Sequence, residues 1–179
     1  MGCSSDSSAP ACIPITCLNG GISTADCGCN CPINYTGINC SEEKTPTQII
    51  ISKAVITKFP ALRTNGSYWD TNIITTNNKF PDIYIRLNDT AVLIDTRANY
   101  IDNASSSFNY TWTFTTPIVV TNVKDFKSLR MYDYSSTGDE QMGFTLFVPY
   151  NNGQSFPNVI TVSDSSNSFE VQLYVTYQW

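Results

Sequence analysis

Most of the chain alternates apolar and polar residues with a period of two. Residues 169–177 and 83–87 follow this alternation strictly, as strands with one buried face must. Further β-branched or aromatic runs, separated by turn residues, lie at 48–57, 91–96, 108–115, 117–121, 127–133, 142–148 and 157–163. No stretch of the sequence keeps a helical period over three turns. Eight or nine short strands therefore predict a mainly β fold, an antiparallel two-sheet sandwich over residues 48–179.

All seven cysteines fall within the first forty residues, and they divide the chain. Six of them crowd into residues 12–40 together with several glycines and prolines. Such a short segment buries too little apolar surface to fold unaided, so crosslinks must hold it. Zinc is the competing use of dense cysteine, but the one-residue gaps around Cys29 are shorter than zinc ligand pairs usually have. The pattern predicts disulfides, an oxidising compartment, and a polar linker over residues 41–47 that contains Pro46.

The cysteine-rich segment resembles an epidermal-growth-factor-like module over residues 12–40. Residues 29–40 read C-N-C-P-I-N-Y-T-G-I-N-C, like the family's closing C-x-C-P-x-x-Y-x-G-x-x-C, and Asn19-Gly20-Gly21 is similar to its N-G-G turn. The resemblance implies a disulfide-rich module with the pairings Cys12–Cys27, Cys17–Cys29 and Cys31–Cys40. The family's calcium signature ahead of the first cysteine is missing, so we expect no calcium in this module.

The remaining cysteine, Cys3, follows Gly2 and precedes a Ser-rich stretch, so that residues 1–11 read as a flexible tether. This start resembles the mature N-terminus of a bacterial lipoprotein. It implies lipidation of Cys3, a membrane attachment through that anchor, and a location at the bacterial outer membrane or cell surface. Acyl chains contribute about 0.8 kcal/mol per buried methylene, enough together for stable anchoring. The alternative is a free cysteine in a tail.

The larger segment resembles a divergent calcium-dependent lipid-binding (C-two) domain. Residues 80–87 (F-P-D-I-Y-I-R-L) stand where the family has S-D-P-Y-V-x-V, and residues 108–114 (F-N-Y-T-W-T-F) stand for N-P-x-W-N-E-x-F-x-F. Residues 129–134 (L-R-M-Y-D-Y) are similar to L-x-x-x-V-x-D-x-D. Met142-Gly143 and Val148-Pro149 are similar to a later strand and its exit. The four matches occur in the family's order within residues 48–150.

This second resemblance implies a calcium site built from two loops at one end of the sandwich, because calcium takes six to eight oxygen ligands. Asp82 and Asp133 match ligands of the two loops, while Ser135 stands where the family has another aspartate. The remaining candidate ligands are Asp70, Asp139 and Glu140. Loss of one carboxylate predicts weak affinity, in the range of about 10⁻⁴–10⁻³ M. The alternative is that these acids are solvated turn residues that cap local backbone groups.

Three aromatic residues fall in connections between predicted strands. Tyr68 and Trp69 lie in the long first loop, and Tyr100 lies in another. Exposed aromatic rings beside polar loops suit stacking on sugars or insertion into a lipid interface. The alternative is that Trp69 folds back onto the edge of the sandwich.

Composition narrows the classes of function. The net charge is −5, and Lys and Arg form no cluster, so nucleic acid and anionic membrane surfaces are poor partners on electrostatic grounds, and we expect no nucleic acid partner. Histidine is absent, which excludes imidazole-based catalysis. No apolar run reaches the roughly 18 residues that a membrane-spanning helix requires.

We therefore expect a non-enzymatic surface lipoprotein that acts as a binding or adhesion module toward a protein, a glycan or a lipid. Calcium is the only cofactor that the sequence suggests. The alternatives are a carbohydrate-binding sandwich that works through the three loop aromatics, or a structural subunit of an envelope assembly. An enzyme would have to use paired carboxylates such as Asp133 with Glu140 or Asp82.

Overall fold

The computed structural model describes residues 12–70, 79–166 and 168–179, and the chain divides into two compact units at Thr45/Pro46. The division falls inside the linker predicted from the sequence. Cys3 and the tether 1–11 lie outside the described residues. Among the described residues, no helix is both long and apolar enough to cross a membrane.

The smaller unit is held by three disulfides, which join Cys12 to Cys27, Cys17 to Cys29 and Cys31 to Cys40. These are the pairs that the growth-factor-like resemblance implies. Its strands are two residues each and form two antiparallel pairs: β1 (Ile22–Ser23) with β2 (Cys29–Asn30), and β3 (Tyr35–Thr36) with β4 (Glu42–Glu43). Strand β4 lies within the predicted linker, so part of that segment belongs to the smaller unit.

The Asn-Gly-Gly turn of the smaller unit packs against a disulfide. Asn19 and Gly20 both adopt positive φ, and the Asn19 amide donates a hydrogen bond of 2.9 Å to the carbonyl of Cys40. At Gly21 an added Cβ would lie 2.6 Å from the Cys40 sulfur, far inside contact distance. This close approach explains why a residue without a side chain follows the turn.

The described residues of the larger unit form eight strands and a short 3₁₀ helix. The strands are β5 (Gln48–Lys58), β6 (Ile83–Asn88), β7 (Val92–Asp95), β8 (Tyr110–Val120), β9 (Lys127–Asp133), β10 (Glu140–Phe147), β11 (Val159–Ser163) and β12 (Glu170–Gln178), and the helix is Arg97–Asn99. They form two antiparallel four-stranded sheets, ordered β10-β9-β6-β7 and β11-β12-β5-β8. The predicted fold class, a mainly β chain with an antiparallel sandwich, is confirmed.

The two sheets share one apolar core, to which alternate residues of each strand contribute. Ile83, Ile85 and Leu87 of β6 are fully buried, and so are Leu129 and Met131 of β9. The facing sheet contributes the buried residues Ile49, Ile51, Ala54, Ile56, Val171, Leu173 and Val175. The period-two pattern of the sequence therefore marks the inner faces of both layers.

The core is tightly packed where β10 meets the residue that precedes β12. An added Cβ at Gly143 would lie 2.3 Å from Cδ1 of Phe169, whose ring is fully buried. A side chain at this position of β10 would overlap the buried ring, which explains the glycine.

A buried ion pair lies where β9 begins. Lys127 is completely enclosed, and its Nζ lies 3.0 Å from Oδ2 of Asp89 and 3.0 Å from the carbonyl oxygen of Asn122. Its stem lines a cavity between the sheets together with Ile49, Ile51, Leu87, Val120, Phe147, Pro149, Ile160 and Leu173. A charge at this depth is tolerated because it is both paired and hydrogen-bonded.

Candidate functional site

Two of the predicted calcium ligands meet at one end of the sandwich. Asp82 immediately precedes β6, and Asp133 is the last residue of β9, which pairs antiparallel with β6 so that Ile83 opposes Asp133. The backbone N–H of Asp82 donates a hydrogen bond of 2.7 Å to Oδ1 of Asp133. Antiparallel pairing thus brings together two carboxylates that lie fifty-one residues apart in the chain.

Asp82 also connects this pair to the segment between β7 and β8. Its Oδ1 accepts a hydrogen bond of 2.7 Å from the backbone N–H of Asn103, and its carbonyl accepts one of 2.7 Å from the N–H of Tyr134. The segment is held there by an isolated antiparallel bridge between Ile83 and Ile101. The connections that follow β7 and β9 therefore both hydrogen-bond to Asp82, which itself belongs to the connection before β6.

Two further carboxylates, those of Asp70 and Asp102, affect the pKa values of this pair. Burial raises the pKa of Asp133 to about 7, the charges of Asp70 and Asp82 raise it as well, and Arg63 opposes them. Burial raises the pKa of Asp82 to about 6; the Asn103 N–H opposes this increase, and the charges of Asp102 and Asp70 add to it. Burial also raises the pKa of Asp70. We call Asp70, Asp82, Asp102 and Asp133 the acidic end.

Asp102 was not among the residues predicted from the sequence. It follows Ile101, whose bridge to Ile83 places this part of the chain beside Asp82. The sequence carries no local signal for that bridge, because Ile83 begins β6 whereas Ile101 lies in the connection between β7 and β8. The sequence indicated only that Asp102 is an acidic residue that follows an apolar residue, Ile101, in a loop.

The other two predicted ligands form ion pairs. Asp139 accepts hydrogen bonds from Nε of Arg97 at 2.7 Å and from the Tyr84 hydroxyl at 2.7 Å, and the Arg97 bond is the main reason that the pKa of Asp139 falls to about 2. Glu140 accepts from Nε of Arg63 at 3.0 Å and from its Nη2 at 2.7 Å. Both carboxylates thus already have a cationic partner.

Within the described parts of the chain, no group of three or more acidic or cysteine side chains is arranged to hold a metal ion. The calcium site therefore stays a prediction. Its candidate ligands now divide into Asp70, Asp82 and Asp133, which influence one another electrostatically, and Asp139 and Glu140, which are bound to arginines.

The three loop aromatics differ in accessibility. Trp69 is buried, with 6% of its surface exposed, and its Nε1 donates a hydrogen bond of 2.9 Å to the carbonyl of Pro60. The prediction that Trp69 contacts a ligand is therefore wrong. The structure instead matches the alternative, in which this ring folds back onto the edge of the sandwich. Tyr68 and Tyr100 are exposed, and Tyr100 stacks on Tyr134 with ring centroids 4.2 Å apart.

The cavity described above lies at the opposite end of the strands from the acidic end. Lys127, which lines it, begins β9, whereas Asp133 ends that strand. An enzyme could have used Asp133 and Glu140 as a pair of carboxylates. In the structure, Glu140 forms a salt bridge with Arg63 instead.

Comparison with known proteins finds no family model and no curated protein that matches the chain.

Proposed function

We propose that the chain is a non-enzymatic surface lipoprotein that binds a partner through its β-sandwich, with a weak calcium site at the acidic end. Three disulfides indicate an oxidising, extracytoplasmic environment. In the proposal, Cys3 carries the lipid anchor, residues 12–45 are a stapled spacer, and the sandwich presents its loops to a protein, a glycan or a lipid.

The observation that carries the calcium proposal is the meeting of the Asp82 and Asp133 carboxylates at one end of the sandwich, where burial and neighbouring carboxylates raise the pKa of both. Asp133 is only 3% exposed, and Asp70 and Asp82 both raise its pKa. Carboxylates that are costly to ionise together gain from a divalent cation, which supplies the missing positive charge. They also come from separate connections, as a site with many oxygen ligands requires.

The same geometry predicts weak binding. The Asp102 side chain already lies within hydrogen-bonding reach of Asp82, but among the described residues no three acidic side chains are arranged around one ion, so they would have to rearrange. Ordering these side chains subtracts from the binding free energy. We therefore expect a dissociation constant near the extracellular range of about 10⁻⁴–10⁻³ M.

Thermal unfolding of the full chain in chelator, in calcium and in magnesium tests this proposal. Calcium at one hundred times the dissociation constant should stabilise the protein by about 2.7 kcal/mol. Asp133→Asn should abolish that gain, whereas Asp125→Asn, an exposed loop residue that is not part of the acidic end, should retain it. An unchanged melting temperature at several millimolar calcium, or an equal gain in both variants, would contradict the calcium site.

Lipid attachment has a separate test. Expression behind a bacterial lipoprotein signal peptide, with a labelled fatty acid in the medium, should label the wild type and leave Cys3→Ser unlabelled. Detergent should be needed to extract the wild type only. A wild type that remains unlabelled and extracts without detergent would remove the anchor from the proposal and leave the sandwich part intact.

A glycan as the ligand is favoured by one observation, the exposed ring of Tyr100 stacked on Tyr134 beside the acidic end. A rigid pair of rings offers a flat apolar platform next to hydrogen-bond acceptors, as sugar binding requires. A glycan array should then show binding that Tyr100→Ala removes. Replacement of the exposed Phe126 by Ser is the matched control, because that ring is not part of the platform. Binding that survives in Tyr100→Ala would contradict the glycan role.

A further inference from the structure

Strand β10 is the least protected sheet edge of the larger unit. It ends the order β10-β9-β6-β7, and within the described residues no strand pairs with its outer side. Its second half, Phe144–Phe147, carries neither a charge nor a proline, the residues that natural proteins use to block an edge. By comparison, edge strand β8 contains Pro117, and β7 and β11 have only four and five residues.

The outward face of β10 is apolar. Thr145 opposes the buried core residue Leu129, so its neighbours Phe144 and Leu146 point away from the core. Phe144 is 41% exposed and Leu146 is 54% exposed. An unblocked edge thus coincides with two large apolar side chains, a combination that favours pairing with another chain.

A cation lies over one of these two side chains, Phe144. Arg130 opposes Phe144 across the ladder, and its guanidinium lies 5.1 Å from the centre of the Phe144 ring, reaching toward the free edge. Arg86 opposes Arg130 on the other side, but Arg86 is neutralised by Asp95 at 2.7 Å. Among the described residues, Arg130 has no carboxylate within salt-bridge distance. Arg86 thus has its counter-charge and Arg130 does not, so an anion brought to Arg130 would be stabilising.

We propose that β10 accepts an extended, acidic segment of a partner protein as a fifth strand of its sheet. The segment's backbone would bond to the free edge, apolar side chains would cover Phe144 and Leu146, and one carboxylate would reach the guanidinium of Arg130. Edge pairing supplies affinity, and the carboxylate supplies selectivity, because charge-assisted hydrogen bonds to arginine are strong and directional.

Charge argues against a second copy of this chain as the occupant. Two β10 strands paired side by side would bring both Arg130 guanidiniums to the same seam, where like charges oppose pairing. An anionic lipid surface would match Arg130 but supply no strand for the edge N–H and C=O groups. An acidic protein segment satisfies both features.

The test uses an acetylated, amidated heptapeptide with the sequence TVTETVT, in which Val, Glu and Val share one face of a strand. Binding to the full chain is followed by NMR titration. We expect saturable binding with shifts concentrated on β10, about tenfold tighter than for the same peptide with Gln in place of Glu. Methylation of alternate backbone nitrogens in the peptide should abolish binding.

Variants of the chain complete the test. Arg130→Gln should remove the preference for Glu over Gln, and Leu146→Lys should weaken both peptides. Arg86→Gln is the matched control and should leave the preference intact, because its charge is already paired with Asp95. The proposal is overturned if the Glu peptide does not bind, or if the preference survives in Arg130→Gln. The choice of partner is overturned if the chain self-associates and Leu146→Lys abolishes that association. It is also overturned if the chain binds anionic vesicles but not the peptide.

Discussion

Replacing Lys127 by Met should destabilise the larger unit, because it leaves Asp89 without its counter-charge. The Lys127 side chain is 0% exposed and the Asp89 side chain 15% exposed, with Nζ and Oδ2 3.0 Å apart. Breaking a buried pair by removing one partner typically costs about 3–5 kcal/mol. Since Asp89 keeps some contact with water, we expect the lower value for Lys127→Met, about 3 kcal/mol.

The reverse change should cost more. Asp89→Asn leaves the fully buried ammonium of Lys127 without a counter-charge, with only neutral acceptors near it, the Asn122 carbonyl at 3.0 Å and the new amide oxygen. We expect about 4 kcal/mol for this variant. The double variant has no charge left to compensate, and the Met side chain fits the apolar lining. It should lie within about 1 kcal/mol of the wild type.

Urea unfolding measures these differences. The tryptophan emission of Trp69 and Trp112, both buried in the larger unit, reports its transition. The reasoning fails if the double variant loses as much stability as the two single variants combined, since additivity would mean that the two charges do not interact. It also fails if Asp89→Asn costs less than Lys127→Met.

The remaining predictions concern pH, packing and the disulfides. In chelator, the stability of the protein should fall as pH rises from 5 to 8. The folded-state pKa values of Asp82 and Asp133 are raised to about 6 and 7, so their ionisation opposes folding. Melting curves should show a weaker pH dependence in Asp133→Asn than in the wild type. Gly143→Ala should cost about 1–3 kcal/mol by overpacking against Phe169, measured by urea unfolding. Reduction by dithiothreitol should unfold residues 12–45 alone, seen as selective loss of NMR dispersion, because every cysteine precedes residue 41.

Each of these has a control. A wild type whose melting temperature stays constant between pH 5 and 8 would contradict the burial of charge at the acidic end. Gly143→Ala should cost less in a Phe169→Ala background than in the wild type, because that change removes all three ring atoms that the new methyl group meets. Loss of the tryptophan transition on reduction would show that the sandwich depends on the disulfides.

The strands were predictable because burial in a two-layer sandwich imposes a period of two. Residues 127–133 were predicted and observed as one strand, and the predicted strand 83–87 extends by only one residue. Residues 108–115 and 117–121 were predicted as two strands, split before Pro117. The structure instead has the single strand β8, because an edge position tolerates a proline without an N–H. The irregularity appears as a jump in register, with Ile51 opposite Ile118 and Lys53 opposite Thr113.

The candidate site was less predictable, because it depends on contacts between distant segments. Asp82 and Asp133 were chosen from the resemblance to the calcium-dependent lipid-binding domain, and the structure brings them together because β6 and β9 pair with Ile83 opposite Asp133. Asp102 could not be predicted, since a single bridge at Ile101 positions it. The partners of Asp139 and Glu140 were likewise hidden, because Arg97 and Arg63 lie forty-two and seventy-seven residues away in the chain.

The first and last strands of the larger unit pair at the middle of one sheet, and this arrangement has a mechanical consequence. Gln48 opposes Gln178, and the N–H of Thr47 donates to the carbonyl of Gln178 at 2.8 Å, so the two ends emerge side by side. Tension that separates these ends would unzip β5 from β12 rung by rung, which needs little force. Tension entering through the outer edge of β10 would instead load the other sheet, leaving this seam closed.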